Sequence, residues 1–421
     1  MTKIDLRPYS KLVIAGVFFI FLHSLRYFDF IGLNETIYGN CSKLFALFLI
    51  ILCVISKSPR QMPGRYWWIA LLAVPMLSFL PAWLENGQSP VESFKAYLPF
   101  GLALIYFILH SAKIRPSEIA RIFTVFAIIR LLIYITQQFT FPHYLFAFRT
   151  EGFNSFGYYA GIEMRSGIYR YYIEDTYLSM FLVFYYLQRL LKSRRLTDLV
   201  FLFIGLIGVY LDQSRQFMVS TVVAVLFVIF FASKIKYKGL ILLGMAGVAA
   251  ILLSFSEQIF GDLLFMTQDD LSSDNIRLLA YTTFALEFWG GTLSVIFGNG
   301  PIGHSAYGEK VAYLNQNMNL YHADVGIVGA ANLYGIVTVL MLLVFFLFFV
   351  VRNWRKLQTH LKMYYVAMVV NLPLVTIYTQ NLNWFVFFAF MLYLSDRSII
   401  GYDRRMHKLR ESRAVKTEEH T

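Results

Sequence analysis

A chain of 421 residues, 58% hydrophobic and only 15% charged, with 41 Phe and 28 Tyr, excludes a water-soluble globular domain. The formal net charge of +12 would fit a nucleic-acid partner, but 27 of the 37 basic residues fall in every second gap between apolar stretches. That alternation is the signature of a polytopic membrane protein and excludes nucleic acid as the reason for the charge.

A span needs roughly 20 mostly apolar residues, and on that template twelve are predicted. The first five lie near Lys11 to Phe28, Cys41 to Ile55, Tyr66 to Trp83, Tyr97 to Ala112 and Ile119 to Gln138. The next four lie near Tyr177 to Leu191, Leu199 to Leu211, Gln216 to Ala232 and Leu240 to Phe255. Val325 to Val351, Met363 to Thr379 and Trp384 to Ser395 complete the set. Lys3, Arg7 and Lys11 precede the first span and no small-residue cleavage site follows it, so it is predicted to be a retained helix with a cytoplasmic N-terminus. The basic gaps, such as Arg189 to Arg195, then face inward, and a basic cytoplasmic tail at 396–421 ends the chain on the same side. Cys41 and Cys53 share one predicted helix about 18 Å apart, too far for a disulfide, and suggest no metal site.

No repeat or linker divides the chain, so 1–421 is predicted to be a single integral membrane domain, all-α, with about 12 transmembrane helices. Two outward loops, 139–176 and 256–324, are far longer than ordinary connections, and long loops on a rigid scaffold are where function concentrates.

Ten basic residues remain on or near the outer half: Arg26, Lys43, Lys95, Arg130, Arg149, Arg165, Arg170, Arg215, Arg277 and Lys310. Seven are Arg, the side chain that grips phosphate in a bidentate way and keeps its charge where water is scarce. Arg215 follows a very short turn and is predicted at membrane depth at the start of a helix, where free N–H groups already attract anions. Pairing with Asp212 is the plainer alternative. Arg130, within a span, is read first as the partner of a carboxylate.

In the first long loop, Arg149, Arg165 and Arg170 are interleaved with Tyr and Gly. That mixture suits sugars and phosphates, and equally suits an interfacial aromatic belt. In the second, Ser272 to Asn275 is predicted to cap a helix with Arg277 in its first turn, ended by Gly290-Gly291. Asp274 is the plain partner for Arg277. Gly298-Asn299-Gly300 opens no βαβ unit, which rejects a dinucleotide site. His322, two residues from Asp324 at the mouth of a span, is a candidate general base for a hydroxyl nucleophile. A packing role is its alternative, and His304 is a weaker candidate.

These motifs together resemble the Wzy O-antigen polymerase and O-antigen ligase superfamily. The resemblance rests on Ser214-Arg215 opening a mid-chain helix, the Arg277 helix followed by Gly298-Asn299-Gly300, and the run His322-Ala323-Asp324-Val325-Gly326-Ile327-Val328-Gly329 with Gly335-Ile336 beyond. It covers roughly Arg149 to Val351. It implies a GT-C-like fold in the bacterial inner membrane and a metal-independent glycosyltransferase without cofactor, acting on undecaprenyl-pyrophosphate-linked oligosaccharides at the periplasmic face. It also implies that Arg215 and Arg277 bind pyrophosphate, that His322 deprotonates the acceptor, and that Arg149, Arg165, Arg170 and Asp324 help hold glycan or donor. A chain-length regulator and a flippase are the protein partners the resemblance implies, alongside membrane lipids. The ligase shares these residues. A flippase or secondary transporter is the alternative of another class, disfavoured because the ionisable residues gather outside rather than at mid-membrane.

Overall fold

The computed structural model describes residues 3–24, 35–57, 59, 61–140, 162–165, 168–171, 176–212, 214–231, 239, 276–379 and 382–418. The predicted span at Leu240 to Phe255, Asp274 with its Ser neighbours, Arg149, and the side chains of Arg165 and Arg170 lie outside the described residues.

Helices α1 (Ser10–Ser24) and α2 (Glu35–Ile55) lead into two interrupted spans. The first joins α3 (Arg65–Ala73) through the 3-10 segment Val74–Ser78 to α4 (Phe79–Leu84). The second joins α5 (Pro90–Tyr97) through Leu98–Leu104 to α6 (Ile105–Ala112). Then come α7 (Pro116–Thr140), an antiparallel hairpin of β1 (Ile162–Arg165) and β2 (Ile168–Tyr171), α8 (Thr176–Ser193), α9 (Leu196–Leu211) and α10 (Arg215–Phe231). The remainder comprises α11 (Ile276–Thr282), α12 (Thr292–Phe297), α13 (Ala306–Asn317), α14 (Gly326–Phe345), α15 (Thr359–Asn371) and α16 (Leu382–Glu418). Among the described residues five helical stretches are long and apolar enough to cross a membrane: Arg65–Leu84, Pro90–Ala112, Pro116–Thr140, Gly326–Val351 and Asn383–Ser412. Gly39–Ile55, Leu196–Leu211 and Arg215–Phe231 are shorter apolar helices. The chain is therefore a helical, multi-pass membrane protein by length and composition.

The bundle is built around α16. Its run from Phe385 to Leu394 is apolar on every side, and each residue is at most 5% exposed, as expected of a helix surrounded by others. Phe387 packs on Phe123 of α7, Tyr177 of α8 and Tyr364 of α15, while Phe385 stacks on Trp68 of α3 at 5.1 Å. Beyond the bundle the helix runs on to Glu418. Its 37 residues reach about 55 Å, more than a bilayer's hydrocarbon core requires.

The interrupted spans have an identifiable cause. Pro75 has no N–H to offer the carbonyl of Leu71, and non-helical backbone in a membrane persists only where its freed groups find partners. The hydroxyl of Tyr378 donates to Leu71 O at 2.9 Å, that of Tyr97 donates to Leu72 O at 2.9 Å, and the Trp68 indole N–H donates to Ala103 O at 3.1 Å.

Three boundaries differ from the sequence prediction. The helix predicted to reach Thr379 ends at Asn371, because Pro373 follows and Ile327 N takes the carbonyl of Leu372. The span predicted from Tyr97 starts at Pro90, where Ser89 caps it by accepting from Glu92 N. The last span and the basic tail form one continuous helix.

Candidate functional site

The predicted Arg277 helix is present: α11 begins at Ile276, continues into a π-helical turn at Thr283–Glu287, and is followed by Gly290-Gly291. Among its described residues, from 276 on, the second long loop is largely helical, and it is clasped by the short turn between α4 and α5. Gly291 precedes α12 without a side chain to cap it. Glu85 supplies the cap instead, accepting from Leu293 N at 2.9 Å, Ser294 N at 2.8 Å and Ser294 Oγ at 2.5 Å. Partial burial opposes ionisation of this carboxylate, but the bonds from Ser294 and Leu293 win and hold it below its ordinary range. Asn86 Nδ2 donates to Asn299 O at 3.1 Å. Gln88 donates to Pro301 O at 2.9 Å and accepts from Ser305 Oγ at 2.9 Å.

The clasp presses Gly298-Asn299-Gly300 into a break in α14. Gly335 has φ 87° and ψ 160°, which leaves the carbonyls of Asn332 and Leu333 without helical partners. Asn299 N and Gly300 N fill those places at 2.8 and 2.9 Å. The approach is so close that a Cβ on Gly298 would overlap Leu333 and the nitrogen of Gly335, and one on Gly335 would overlap Ile296 and Phe297. Both glycines also hold positive φ.

His322 stands at the centre of this knot, in the turn His322–Asp324 just before α14. It is 5% exposed. Phe284 lies against its ring at 3.9 Å between centroids, and its Nε2 is 3.0 Å from Asn332 Oδ1. Asn332 Nδ2 donates to Phe284 O at 2.9 Å and Phe288 O at 2.6 Å, while Asn299 Nδ2 donates to Phe288 O and to Asn332 Oδ1. A Cβ at Gly329 would overlap the His322 carbonyl, so the turn also sits directly on the first coil of α14. Burial pushes the imidazole down to about 4, against the raising effect of the Asn332 bond. The ring is therefore neutral at physiological pH. A base with a pKa near neutral, the value best suited to proton transfer at physiological pH, is not what this burial gives.

The helices carrying Arg215 and Arg277, and α14, which follows the His322 turn, all bond to the end of α15 and the turn after it. Ile327 N donates to Leu372 O at 3.0 Å, Tyr281 of α11 donates to Pro373 O, and Asn371 Nδ2 donates to Ser220 Oγ of α10 at 3.1 Å. Arg215 is the first residue of α10, as predicted, and is half-buried; Arg277 is exposed. Asp212 forms a buried ion pair with Arg130, whose Nη1 also donates to Ser179 Oγ at 3.0 Å, so Arg130 has the carboxylate partner expected of it. Asp324 and His304 are exposed. Arg165 ends β1 and Arg170 stands in β2 opposite Glu163. That hairpin is pinned to the end of α7 by Gln138, which donates to Tyr169 O at 2.6 Å and accepts from Tyr169 N at 2.9 Å.

Asn332, Glu85, Asn86, Gln88 and Tyr307 did not emerge from the sequence, and Asn299 emerged only as part of a glycine-rich stretch. The available signals were an amide inside a strongly apolar span, where polar residues mark function, and the polar turn Glu85-Asn86-Gly87-Gln88 between two spans.

No protein-family model, no curated protein and no solved structure matches the chain.

Proposed function

We propose that this protein is a polysaccharide polymerase of the bacterial inner membrane, joining undecaprenyl-pyrophosphate-linked oligosaccharide repeat units at the periplasmic face. The observation that carries the reading is a buried histidine bonded to Asn332 at the mouth of a span whose first turn, together with the helices carrying Arg215 and Arg277, bonds to the end of α15 and the turn after it.

In the reaction, His322 takes the proton of an acceptor sugar hydroxyl as its oxygen attacks the anomeric carbon of the donor. The bond from that carbon to the pyrophosphate oxygen breaks, and the electron pair leaves with undecaprenyl pyrophosphate. Arg215 and Arg277 stabilise the departing charge, with Arg149, Arg165, Arg170 and Asp324 holding glycan or donor. Pyrophosphate is already a good leaving group, so positioning and charge stabilisation carry most of the acceleration; a base near neutral pKa adds roughly 100- to 10,000-fold, and one held as low as His322 adds less. Ligation of finished glycan to a lipid A core would use the same chemistry. A transporter is the second reading, favoured by the interrupted spans at Val74–Ser78 and Leu98–Leu104 and by the break at Gly335. Against it, carbonyls around these breaks are taken by Tyr97, Tyr378, Trp68 and the Gly298–Gly300 backbone, as in a closed scaffold.

The test is deletion of the gene in its host, with complementation by the wild type and by His322→Ala, Arg215→Ala and Arg277→Ala, each checked for membrane expression. A polymerase is expected to give surface polysaccharide that collapses from a ladder to core plus one repeat unit, unrescued by the variants. Loss of even the single unit would favour the ligase or the flippase. A full ladder from His322→Ala would overturn the base assignment.

A further inference from the structure

The orientation of the amides around His322 can be worked out from groups that cannot flip. Phe284 O and Phe288 O are backbone acceptors, so the atom of Asn332 facing both must be its NH2. Gly290 N is a backbone donor at 2.9 Å from the side chain of Asn299, so that atom must be Asn299 Oδ1. Asn299 therefore turns its own NH2 toward Phe288 O and Asn332 Oδ1. Both constraints leave Asn332 Oδ1 as a pure acceptor toward the imidazole.

We propose that Asn332 is the positioning residue that fixes the tautomer of His322: its oxygen accepts from Nε2–H, which places the lone pair on Nδ1 and makes Nδ1 the atom that receives a proton. The role rests on the reading of His322 as the base. The assignment of the proton does not, since it follows from the amide network alone. The Tyr307 hydroxyl lies 3.5 Å from the same oxygen.

The titratable and charged groups on the elements around the ring are Arg277 and Tyr281 on α11, Glu287 on the π-helical turn after it, Tyr307, Glu309, Lys310 and the exposed Tyr313 on α13, Tyr334 on α14, and Asp324 and the exposed Tyr321 on its own turn. Arg277, Glu287, Glu309, Lys310 and Asp324 are exposed, and the Tyr281 hydroxyl is engaged by Pro373 O. The amide is thus the polar group set against Nε2, and replacing it with a carboxylate changes the nearest charge without changing shape.

The experiment uses the full chain in liposomes with isotope-labelled histidine rings, read by solid-state nuclear magnetic resonance. The His322 signals are identified among the 8 histidines by their loss in His322→Gln. At neutral pH the wild type is expected to carry its proton on Nε2 with Nδ1 bare. In Asn332→Asp the ring is expected to take its second proton about one to two pH units higher, and the acid limb of glycan joining is expected to move with it. A proton on Nδ1 in the wild type, or an unmoved titration in Asn332→Asp, would overturn the proposal. If the aspartate variant does not fold, the wild-type spectrum still decides the tautomer. A proton on Nε2 together with an intact polysaccharide ladder in His322→Gln would overturn the base reading, and the positioning role with it. A proton on Nδ1 together with a lost ladder would overturn the tautomer assignment and leave the polymerase reading standing.

Discussion

At the residue scale, the burial of His322 sets a pH dependence that an exposed histidine could not produce. Burial moves the imidazole from 6.5 to about 4. A base must be unprotonated to act, so the rate of glycan joining is expected to stay level as pH falls through 6 and to drop only around 4. The check is an initial-rate pH profile with purified enzyme and lipid-linked donor; a midpoint near 6.5 would show that the ring is solvated in the working state. The same shift has a stability consequence of definite sign. Between about 4 and 6.5 the unfolded chain binds a proton that the folded chain refuses, so this contribution is complete above 6.5 and is lost as pH falls toward 4. The full contribution is about 3 kcal/mol at most. His322 was legible from the sequence because a histidine beside Asp324 at the edge of an apolar run stands out. Asn332 was not, because a single amide in a span has no local pattern and its partners Asn299 and Phe284 lie 33 and 48 residues away.

At the scale of elements, the clasp between the α4–α5 turn and α12 is the joint on which the site depends. Glu85 reaches across 208 and 209 residues of sequence to cap α12, a separation that no helix-start signal records. Removing its carboxylate in Glu85→Ala leaves two N–H groups and the Ser294 hydroxyl without this acceptor. A lost cap costs about 0.5–2 kcal/mol, and the loop held by it is expected to loosen first. Hydrogen exchange should therefore quicken across Thr292–Phe297 and Gly298–Gly300 while α16 stays protected, with Glu85→Gln milder because it keeps an oxygen. Uniform acceleration across the bundle would contradict a local role. Gly335→Ala is expected to be harsher: its φ of 87° strains a side chain, and the new Cβ meets the backbone of Ile296 and Phe297. The break at Gly335 was not legible, because glycine is frequent in membrane helices and the partners that fill the break, Asn299 and Gly300, lie far away in sequence. Pro75 by contrast did carry a signal, since a proline inside a span must free a carbonyl.

At the scale of the whole molecule, five of the predicted spans were legible at membrane-crossing length and three more as shorter apolar helices, because apolar length is a global constraint that every membrane helix obeys. Their ends were not, since the ends are decided by contacts such as Leu372 with Ile327. Orientation is the property on which every functional statement turns. The distribution of 27 of 37 basic residues predicts that the turn at His304 faces the outer side, which is the periplasm under the proposed function, and that the exposed end of α16 near Arg410 faces the cytoplasm. Packing adds an internal consistency: Glu85, Asn86 and Gln88 bind residues 293–305, so these two predicted outward loops share one side of the molecule. A direct check places single cysteines at His304 and Arg410 in a background with Cys41 and Cys53 replaced by serine. With a membrane-impermeant maleimide, His304→Cys is expected to react in cells whose outer membrane alone is permeabilised, and Arg410→Cys only after the inner membrane is opened. The reverse pattern would put His322 on the cytoplasmic side, where a periplasmic donor cannot reach it, and would sink the polymerase reading however well the site residues responded to substitution.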